Sequence, residues 1–468
     1  MSTKLGKRMK WSMLPVIFAL AWPTMLEQLM GVAVQYVDTA MVGSLGTQAT
    51  AAVGSTSTVG WVVGSSVGAL GVGFLSFIAR AYGAKDRELA ARVTVQAVLA
   101  ALASGALFTV LALSLSSRIP VWMQADESIR ELAARYFFIM YIPMLPRAAI
   151  MIFGTALRAA GDTRTPMRVG VLVNLLNVVL NFFFIFPTRP AELRLFGKTL
   201  RLTIPGLGMG VEGAAIASAI AVAVGGTLIT LALWRHPVIS PRGAKLRVDM
   251  QVLRPCLKVA LPNMLQRFGT SLGYVAFASM INSLGEISTA AHTIANTVES
   301  GFYIPGFGMQ TAAATFSGNA LGAKDRERMR DITAMIVAVE VAMMLVTGTL
   351  LFIFAPAMMG LFTKSAAVIA LGSAVLRMVA VSEPFYGVSI VVEGMMQGVG
   401  KTVTPFIFNI AGMWGVRIVG TYICTQLLGL GLEAAWGCMI AHNLLLFCAF
   451  LIYYRSGRWN PLHKEKEA

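Results

Sequence analysis

Long apolar runs recur from one end of the chain to the other, and short polar segments separate them. Each run is roughly 20–28 residues long, which is enough for a helix to cross the hydrocarbon core of a bilayer. The pattern therefore predicts an all-α polytopic membrane protein with 12 transmembrane helices. The first predicted span runs from residue 12 into the region of residue 38, and the others cover 51–79, 93–117, 132–157, 169–186, 207–233, 255–283, 288–317, 331–355, 368–396, 405–429 and 431–454.

Polar segments between the runs predict the connections. The longest polar insertion, 187–206, predicts a folded outer loop or a short hairpin. A proline removes one backbone hydrogen bond from a helix. We therefore expect Pro23 to kink the first span, and Pro143 and Pro146 to bend the fourth. Basic loops or linkers are expected at 80–92, 158–168 and 235–254.

Composition excludes several classes of protein. Of the 468 residues, 56% are hydrophobic and only 13% are charged, against about 25% charged in a typical soluble domain. A soluble enzyme is therefore excluded. The net charge of +16 does not indicate nucleic-acid binding, because the basic residues fall between the apolar runs, where the positive-inside rule places them. The four cysteines show no CxxC or metal-ligand spacing, so we interpret them as reduced packing residues.

The distribution of basic residues predicts the orientation. Segments on one side of the predicted membrane hold 25 Lys and Arg, and segments on the other side hold 8. With an even number of spans, this bias predicts that both termini are cytoplasmic in a multi-pass protein of the cell inner membrane. Basic residues before the first span are expected to anchor it on that side: Lys4, Lys7, Arg8 and Lys10.

The two halves of the chain match without gaps at a constant shift of 239 residues. GAKDRE at 83–88 recurs at 322–327, and Pro23 corresponds to Pro262. Because six spans is an even number, the two halves share one orientation, and the substrate site is expected near the membrane midplane between them. We predict two six-helix lobes in a 6+6 parallel repeat, with an N-lobe at 1–234, a cytoplasmic linker at 235–254 and a C-lobe at 255–468.

Acidic residues inside the first span are candidates for function. A charged group at the bilayer centre costs about 2.5–3.5 kcal/mol on insertion scales, and Asp38 lies within the first apolar run. Glu27 lies about three helical turns earlier, on nearly the same stripe. In the repeat, Asp38 corresponds to Phe277 and Glu27 to Gln266. The acids belong to one lobe only, and this asymmetry favours a functional role.

Three asparagines in the fifth span add to this pattern. Asn174, Asn177 and Asn181 are spaced i, i+3, i+7 and therefore share one helical face. Amides supply neutral oxygens, which a hard cation such as Na⁺ favours. With Asp38 they predict a site for Na⁺ or for a proton, and no other metal site is predicted. The alternative is that the amides only join helices, while Glu27 is either a second relay acid or reaches toward the membrane surface.

The second half contains further acids within its predicted spans. Each is a candidate counter-charge for a cationic substrate or a candidate proton carrier, and pairing with a buried arginine is the structural alternative. Glu383 ranks first, because it precedes Pro384 at an expected kink. These acids are Glu299, Glu340, Glu383 and Glu393.

Nothing in the chain indicates catalysis. Its glycine-rich runs lie within spans, and it contains no GxxxxGK[ST] phosphate loop. We therefore expect transport driven by an ion gradient, without a cofactor.

The chain resembles the MATE (multidrug and toxic compound extrusion) family over nearly its whole length. The resemblance rests on the 6+6 repeat and on four segments in order: VDTAMVGSLG in the first span, AAGDTRTP after the fourth, NLLNVVLN in the fifth and GVEGAAIAS in the sixth. It implies a V-shaped transporter that exports cationic or amphipathic compounds, driven by inward Na⁺ or H⁺.

The resemblance also implies roles for individual residues. The family's N-lobe cation site matches Asp38, the fifth-span asparagines and the hydroxyl of Ser218. Some relatives carry an aspartate where Asn181 stands. Others have an acid in the seventh helix and another in the tenth, where this chain has Thr270 and Tyr386. The sequence therefore leaves the coupling ion open.

We interpret the chain as an inner-membrane antiporter in which Na⁺ or H⁺ binds Asp38, the first helix bends at Pro23, and an organic cation or amphipathic drug leaves outward. Expected partners are this small molecule and the lipid bilayer, without nucleic acid, and a monomer is expected. One alternative is a scaffold in which Asp38 is dispensable. The other is a flippase for a lipid-linked precursor, whose cavity would be lined by cationic residues such as Arg147, Arg267, Arg377 and Arg417.

Overall fold

The computed structural model describes residues 13–195 and 198–466, and long helices dominate it. The basic residues predicted to anchor the N-terminus lie outside the described residues. The chain between 403 and 427 is one helical segment in which π-helical turns at Ala411–Ile418 and Ile423–Leu427 follow α-helical ones. In chain order the elements are α1 (Leu14–Gly43), α2 (Thr47–Gly83), α3 (Arg87–Leu115), α4 (Ile119–Trp122), α5 (Glu127–Tyr141), α6 (Met144–Ala159), α7 (Arg164–Phe184), β1 (Pro187–Leu195), β2 (Lys198–Leu207), α8 (Gly210–Arg235), α9 (Met250–Asn282), α10 (Glu286–Gly322), α11 (Arg326–Phe362), α12 (Ala366–Gly398), α13 (Val403–Ile410), α14 (Val419–Tyr422), α15 (Leu432–Arg455) and a short 3-10 helix (Pro461–Lys466).

The helices have the dimensions of membrane spans. Within the described chain, nine are long and apolar enough to cross a bilayer, or ten if α5 and α6, which meet at an angle of 51°, form one broken span. The break lies at Pro143, as predicted. Two further helices, α9 and α10, have 33 and 37 residues but are more polar. These helices lie where the apolar runs predict spans, and the polytopic helical fold is confirmed.

Two predicted connections differ from the structure, and a third takes one of its two predicted forms. Residues 80–92 are mostly helical rather than a polar loop, because α2 continues to Gly83 and Asp86 caps α3 by accepting a hydrogen bond from the Leu89 amide at 2.9 Å. The linker is shorter than 235–254, since α8 ends at Arg235 and α9 begins at Met250. The insertion after α7 is an antiparallel hairpin of β1 and β2, which is one of the two forms predicted for it, and it adds two strands to an otherwise helical fold.

The internal repeat is visible in the backbone. Lys85 and Lys324 occupy equivalent turns with φ of 58° and 54°. After each lysine an aspartate caps the next helix, and Asp325 accepts from the Arg328 amide at 2.9 Å as Asp86 does from Leu89. The predicted parallel repeat is therefore confirmed in local geometry.

The two lobes meet at one end of the bundle. We call it the basic end, because it carries the turns at 84–86 and 323–325 and the linker, and we call the opposite end, which carries β1 and β2, the hairpin end. Neither Gly83 nor Gly322 has room for a Cβ, because the backbone of Asn319 lies against the first and that of Arg80 against the second. These two contacts are related by the repeat, so the lobes touch around a pseudo-two-fold axis.

Burial along α1 shows how the lobes diverge. Toward the basic end, Ile17 and Ala21 are fully buried in a core formed with C-lobe residues. Beyond Thr24, Val42 alone among the residues of α1 is buried. The lobes therefore separate toward the hairpin end and leave a cleft beside α1, which is the predicted V shape.

Candidate functional site

The candidate ion site lies in the half of α1 nearer the hairpin end. α1 is helical without interruption through Pro23. One turn after Asp38, Val42 packs against Ile185 and Val211, which anchors this part of α1 to the ends of α7 and α8. Asp38 is half-buried beside these two helices.

Asn181 on α7 is the principal partner of Asp38. Its Nδ2 donates to Asp38 Oδ1 at 2.6 Å, and its side chain is only 1% exposed. The amide oxygen of Asn181 is buried and has no hydrogen-bond partner among the described residues. A buried acceptor without a partner is costly, and here it lies next to a carboxylate.

Asn177 connects Asp38 to Ser218 on α8. In one orientation of its amide, Nδ2 donates to Ser218 Oγ at 2.8 Å. In the other, Nδ2 donates to both carboxylate oxygens of Asp38 at 2.9 and 3.0 Å, and the amide oxygen accepts from Ser218 Oγ at 2.8 Å. The second orientation satisfies more groups, and crystallographic practice chooses amide orientation on that basis. Asp38, Asn177, Asn181 and Ser218 therefore form one cluster across three helices.

Asn174 is not part of this cluster. It shares the helical face of Asn177, but its side chain makes no hydrogen bond within the described residues and it is only half-buried. Asn174 lies one turn nearer the basic end than Asn177, whereas Asp38 lies in the half of α1 nearer the hairpin end. The structure thus brings together two of the three asparagines.

The cluster can satisfy a carboxylate in more than one state. The amides supply donors to the anion, and rotation of either amide replaces a donor with a neutral oxygen. Two carboxylate oxygens, two amide oxygens and a hydroxyl are the donor set that a hard monovalent cation accepts. A proton on Asp38 is accommodated equally well, because the carboxyl then donates to an amide oxygen.

Glu27 belongs to a different contact. Both of its carboxylate oxygens accept from Arg158 Nη2 on α6 at 2.7 Å, and the two side chains are 19% and 15% exposed. The structure therefore does not place Glu27 with Asp38. Arg158 is not identifiable as its partner from the sequence alone, because 131 residues separate the two.

Glu393 is held in a C-lobe network. It accepts from Gln266 Nε2 at 2.9 Å, from Gln397 Nε2 at 3.0 Å and from Asn409 Nδ2 at 3.1 Å. Gln266 is the repeat counterpart of Glu27, so this position contacts a partner helix in both lobes. With three amide donors and 8% exposure, the Glu393 carboxylate holds neighbouring helices together in this conformation.

The other C-lobe acids are also buried. Glu299, Glu340 and Glu383 are 6%, 0% and 1% exposed. Both oxygens of Glu340 and one of Glu383 lack hydrogen-bond partners among the described residues. A substrate in the cleft would not reach these carboxylates without rearrangement, so their predicted role as counter-charges stays a prediction for another conformation.

Arg417 was not singled out as a C-lobe centre by the sequence, but the structure places it there. It lies in a π-helical stretch and is 3% exposed, with its guanidinium carbon 4.1 Å from the Phe277 ring centroid and 4.8 Å from that of Tyr274. Such cation–π contacts stabilise a desolvated guanidinium. Phe277 is the residue that corresponds to Asp38.

Two repeated helical lobes that meet at one end, with a polar cluster beside the cleft, define the class of the molecule: a polytopic membrane transporter. The profile of the MatE family matches residues 23–183 and 262–423, and the starts of these two segments are offset by the same repeat. The chain belongs to the MatE family, whose members are transporters and not enzymes.

Individual relatives agree over nearly the full length. A "Probable multidrug resistance protein NorM" of Thermotoga maritima is 26% identical over 95% of this chain and 92% of its own. The mouse "Multidrug and toxin extrusion protein 1" is 25% identical over 95% of this chain and 76% of its own. A solved structure described as the outward-facing conformation of a multidrug resistance MATE family transporter superposes with a TM-score of 0.86 at 25% identity, covering 96% of each chain.

Proposed function

We propose that this chain is a secondary antiporter that exports organic cations or amphipathic drugs in exchange for Na⁺ or H⁺ bound at Asp38. The observation that carries the proposal is the cluster of Asp38, Asn177, Asn181 and Ser218. An acid inside a membrane span is expensive, and this one is surrounded by groups that can serve either a cation or a proton. The names of the relatives support drugs as substrates.

The geometry suggests how ion binding moves the protein. Binding a cation or a proton at Asp38 changes which amide atoms face the carboxylate, and therefore changes the contacts of α1 with α7 and α8. The half of α1 beyond Thr24 is sparsely buried, so it can move at low cost. Pro23 lies where the well-packed half of α1 ends, and a proline is the expected place for a helix to bend. Bending there would narrow the N-lobe cavity and displace substrate.

The orientation and assembly belong to the same proposal. The basic end lies in the cytoplasm of a bacterial inner membrane with both termini, and the cleft therefore opens outward. The chain acts as a monomer. The lobe bounds are those of the repeat, with residues 236–249 as the linker between α8 and α9.

The flippase alternative receives less support. Its cavity would need converging cations, but Arg147 lies in the N-lobe over the ring of Tyr141 at 5.9 Å, and Arg417 lies in the C-lobe over Phe277. Each of these two guanidinium groups therefore contacts an aromatic ring of its own lobe, and the two do not form a shared cationic lining.

The test is ethidium accumulation in a pump-deficient bacterium expressing the wild type or Asp38→Asn at matched membrane levels. We expect the wild type to lower accumulation and the variant to lose this effect. Glu286→Gln is the control, because it removes one exposed acid at the hairpin end. Full export by Asp38→Asn would contradict the proposal. Proteoliposomes with an imposed Na⁺ gradient or an imposed pH gradient then separate the two ions.

A further inference from the structure

The linker ends in a segment without regular secondary structure that the N-lobe holds in place. Gln96 on α3 donates through Nε2 to the Arg247 carbonyl at 2.9 Å and accepts from the Asp249 amide at 3.1 Å, as a neighbouring β-strand would. Arg92 adds an ion pair with Asp249 at 2.6 Å. This fixes the backbone immediately before α9, so the side chains around it have defined directions.

A basic groove of about 800 Å³ lies along this segment. Its cations are Arg92, Arg242, Lys245 and Arg247, against the two acids Glu88 and Asp249. A second groove of about 620 Å³ shares Met250 and Gln251 with the first and adds Arg254 and Lys258 without an acid. Among these cations, only Arg92 has an ion-pair partner within the described residues. The remaining five point to an anionic ligand.

Apolar side chains are interleaved with these cations. Leu246, Val248 and Met250 are 62%, 53% and 60% exposed, and they alternate with polar residues from the end of the linker into the first residue of α9. Such large apolar groups beside charges are typical of a surface at the boundary between headgroups and acyl chains. They do not suit a site for a free anion in water.

The apolar surface continues down α9 away from the basic end. Leu257 and Leu261, one turn apart, are 38% and 56% exposed, and Leu265 and Phe268 follow on the same face at 49% and 46%. Arg254 and Lys258 are also spaced by one turn and exposed. Cations therefore stand at the head of an apolar stripe of acyl-chain length.

We propose that this groove and stripe bind one anionic phospholipid, with its phosphate held by Lys245, Arg254 and Lys258 and an acyl chain along Leu257 and Leu261. Basic pockets between helices at the membrane surface bind anionic headgroups in this way. The lipid would contact the clamped linker and the first turns of α9 together. It would therefore stabilise the junction between the lobes.

The test uses the delipidated full-length protein in detergent and native mass spectrometry with added phosphatidylglycerol, phosphatidylcholine or glycerol phosphate. We expect the wild type to retain one phosphatidylglycerol, phosphatidylcholine to be retained at least tenfold less, and glycerol phosphate not to bind. Lys245→Gln/Arg254→Gln/Lys258→Gln should lower phosphatidylglycerol retention by about tenfold or more, since each basic residue contributes separately to attraction of the headgroup. Leu257→Ser/Leu261→Ser, which changes no charge, should lower it by a smaller factor.

The matched control is Lys85→Gln/Lys324→Gln/Arg328→Gln. It also removes three exposed charges at the basic end. Below Arg328, however, most of the next residues of α11 are buried, so these charges do not stand above an exposed apolar stripe that could hold an acyl chain. The control should retain phosphatidylglycerol within twofold of the wild type. Equal loss in the control would overturn the proposal in favour of unspecific charge attraction. Equal retention of phosphatidylcholine, or binding of glycerol phosphate, would overturn it as well, and gel filtration with circular dichroism verifies that each variant is folded.

Discussion

The two lobes carry side chains of opposite chemistry at equivalent positions of the repeat. At one repeat position the N-lobe has Asp38, half-buried and satisfied by the amide of Asn181 at 2.6 Å. The C-lobe has Phe277, 1% exposed, whose ring faces the guanidinium of Arg417 at 4.1 Å. The N-lobe thus presents an anion to neutral amides, and the C-lobe presents an aromatic ring to a cation.

This difference separates what the fold requires from what function requires. The backbone turns that follow these positions in the two lobes are equivalent, with φ of 114° at Gly46 and 102° at Gly285. The same helix therefore forms with a phenylalanine in place of the acid. Since the fold does not need a carboxylate at this position, the cost of placing one there supports the proposal that Asp38 binds an ion or a proton.

Removing a single partner of Asp38 should have the largest effect. Asn181→Leu removes a donor to the carboxylate, and hydrogen bonds to charged groups contribute about 1.5–3 kcal/mol. We expect export to fall by about tenfold or more, measured as ethidium efflux from proteoliposomes.

Asn174→Leu is the matched control for this prediction, because it makes the same change about two helical turns away on the same helix, at a residue that makes no hydrogen bond to Asp38 within the described residues. Its efflux should stay within twofold of the wild type. If Asn174→Leu were as damaging as Asn181→Leu, the asparagines would act as general helix contacts, and the distinction between ion cluster and helix packing would fail.

Two buried C-lobe acids should differ in their effect on stability. Glu393→Met leaves the amide donors of Gln266, Gln397 and Asn409 without their acceptor, which costs about 1–3 kcal/mol for a buried unsatisfied group. Glu340→Met replaces a carboxyl whose oxygens have no hydrogen-bond partner among the described residues. Because a buried polar group without a hydrogen bond is costly, this replacement should be neutral or stabilising. Thermal unfolding in detergent should therefore show a lower midpoint for Glu393→Met and an unchanged or higher one for Glu340→Met. Equal destabilisation of both would mean that Glu340 has a bound partner in the membrane.

The Glu27–Arg158 pair should contribute a smaller coupling within the N-lobe. A double-mutant cycle with Glu27→Gln, Arg158→Gln and the double variant measures it directly, because each change removes one charge and leaves a neutral amide in its place. Contacting charged residues give interaction energies of about 0.5–3 kcal/mol, and both side chains are less than one-fifth exposed. A coupling energy near zero would instead favour Glu27 as a mobile acid that pairs only in this conformation.

Periodicity predicted most of the fold, and its errors have physical causes. Hydrophobic runs located the helices, and the constant shift located the repeat. The runs underestimated helix length at the basic end, because the helices extend past the apolar stretch into polar surroundings, where Asp86 and Asp325 cap the next turn. π-Helical turns around Arg417 leave no composition signal, since they depend on tertiary packing.

The candidate site was only partly predictable. Helical spacing placed three asparagines on one face. The position of α1 along the axis of α7 decides that Asn177 and Asn181 reach Asp38 and that Asn174 does not. The ion pair of Glu27 with Arg158 required the tertiary arrangement as well. A sequence gives the face that a residue occupies, and the packing of distant helices decides its partner.

The smallest expected effect, a change in thermal stability, concerns the ion pair of Arg92 and Asp249 at the end of the linker between the lobes. The Arg92 guanidinium, chiefly through its hydrogen bond, holds the pKa of Asp249 below its usual 3.8. A carboxyl with a lowered folded-state pKa stabilises the folded protein above the unfolded pKa, and this contribution is lost as pH falls below about 3.8. The difference in thermal midpoint between wild type and Asp249→Asn should therefore be small at pH 6 and vanish as pH falls through this range. Asp126→Asn is the control. The Ser128 hydroxyl lowers the pKa of the Asp126 carboxyl, which caps a helix at the hairpin end, so this variant removes a similar carboxyl far from the linker. If Asp249→Asn equals the wild type at every pH, the linker is held to the N-lobe by Gln96 alone.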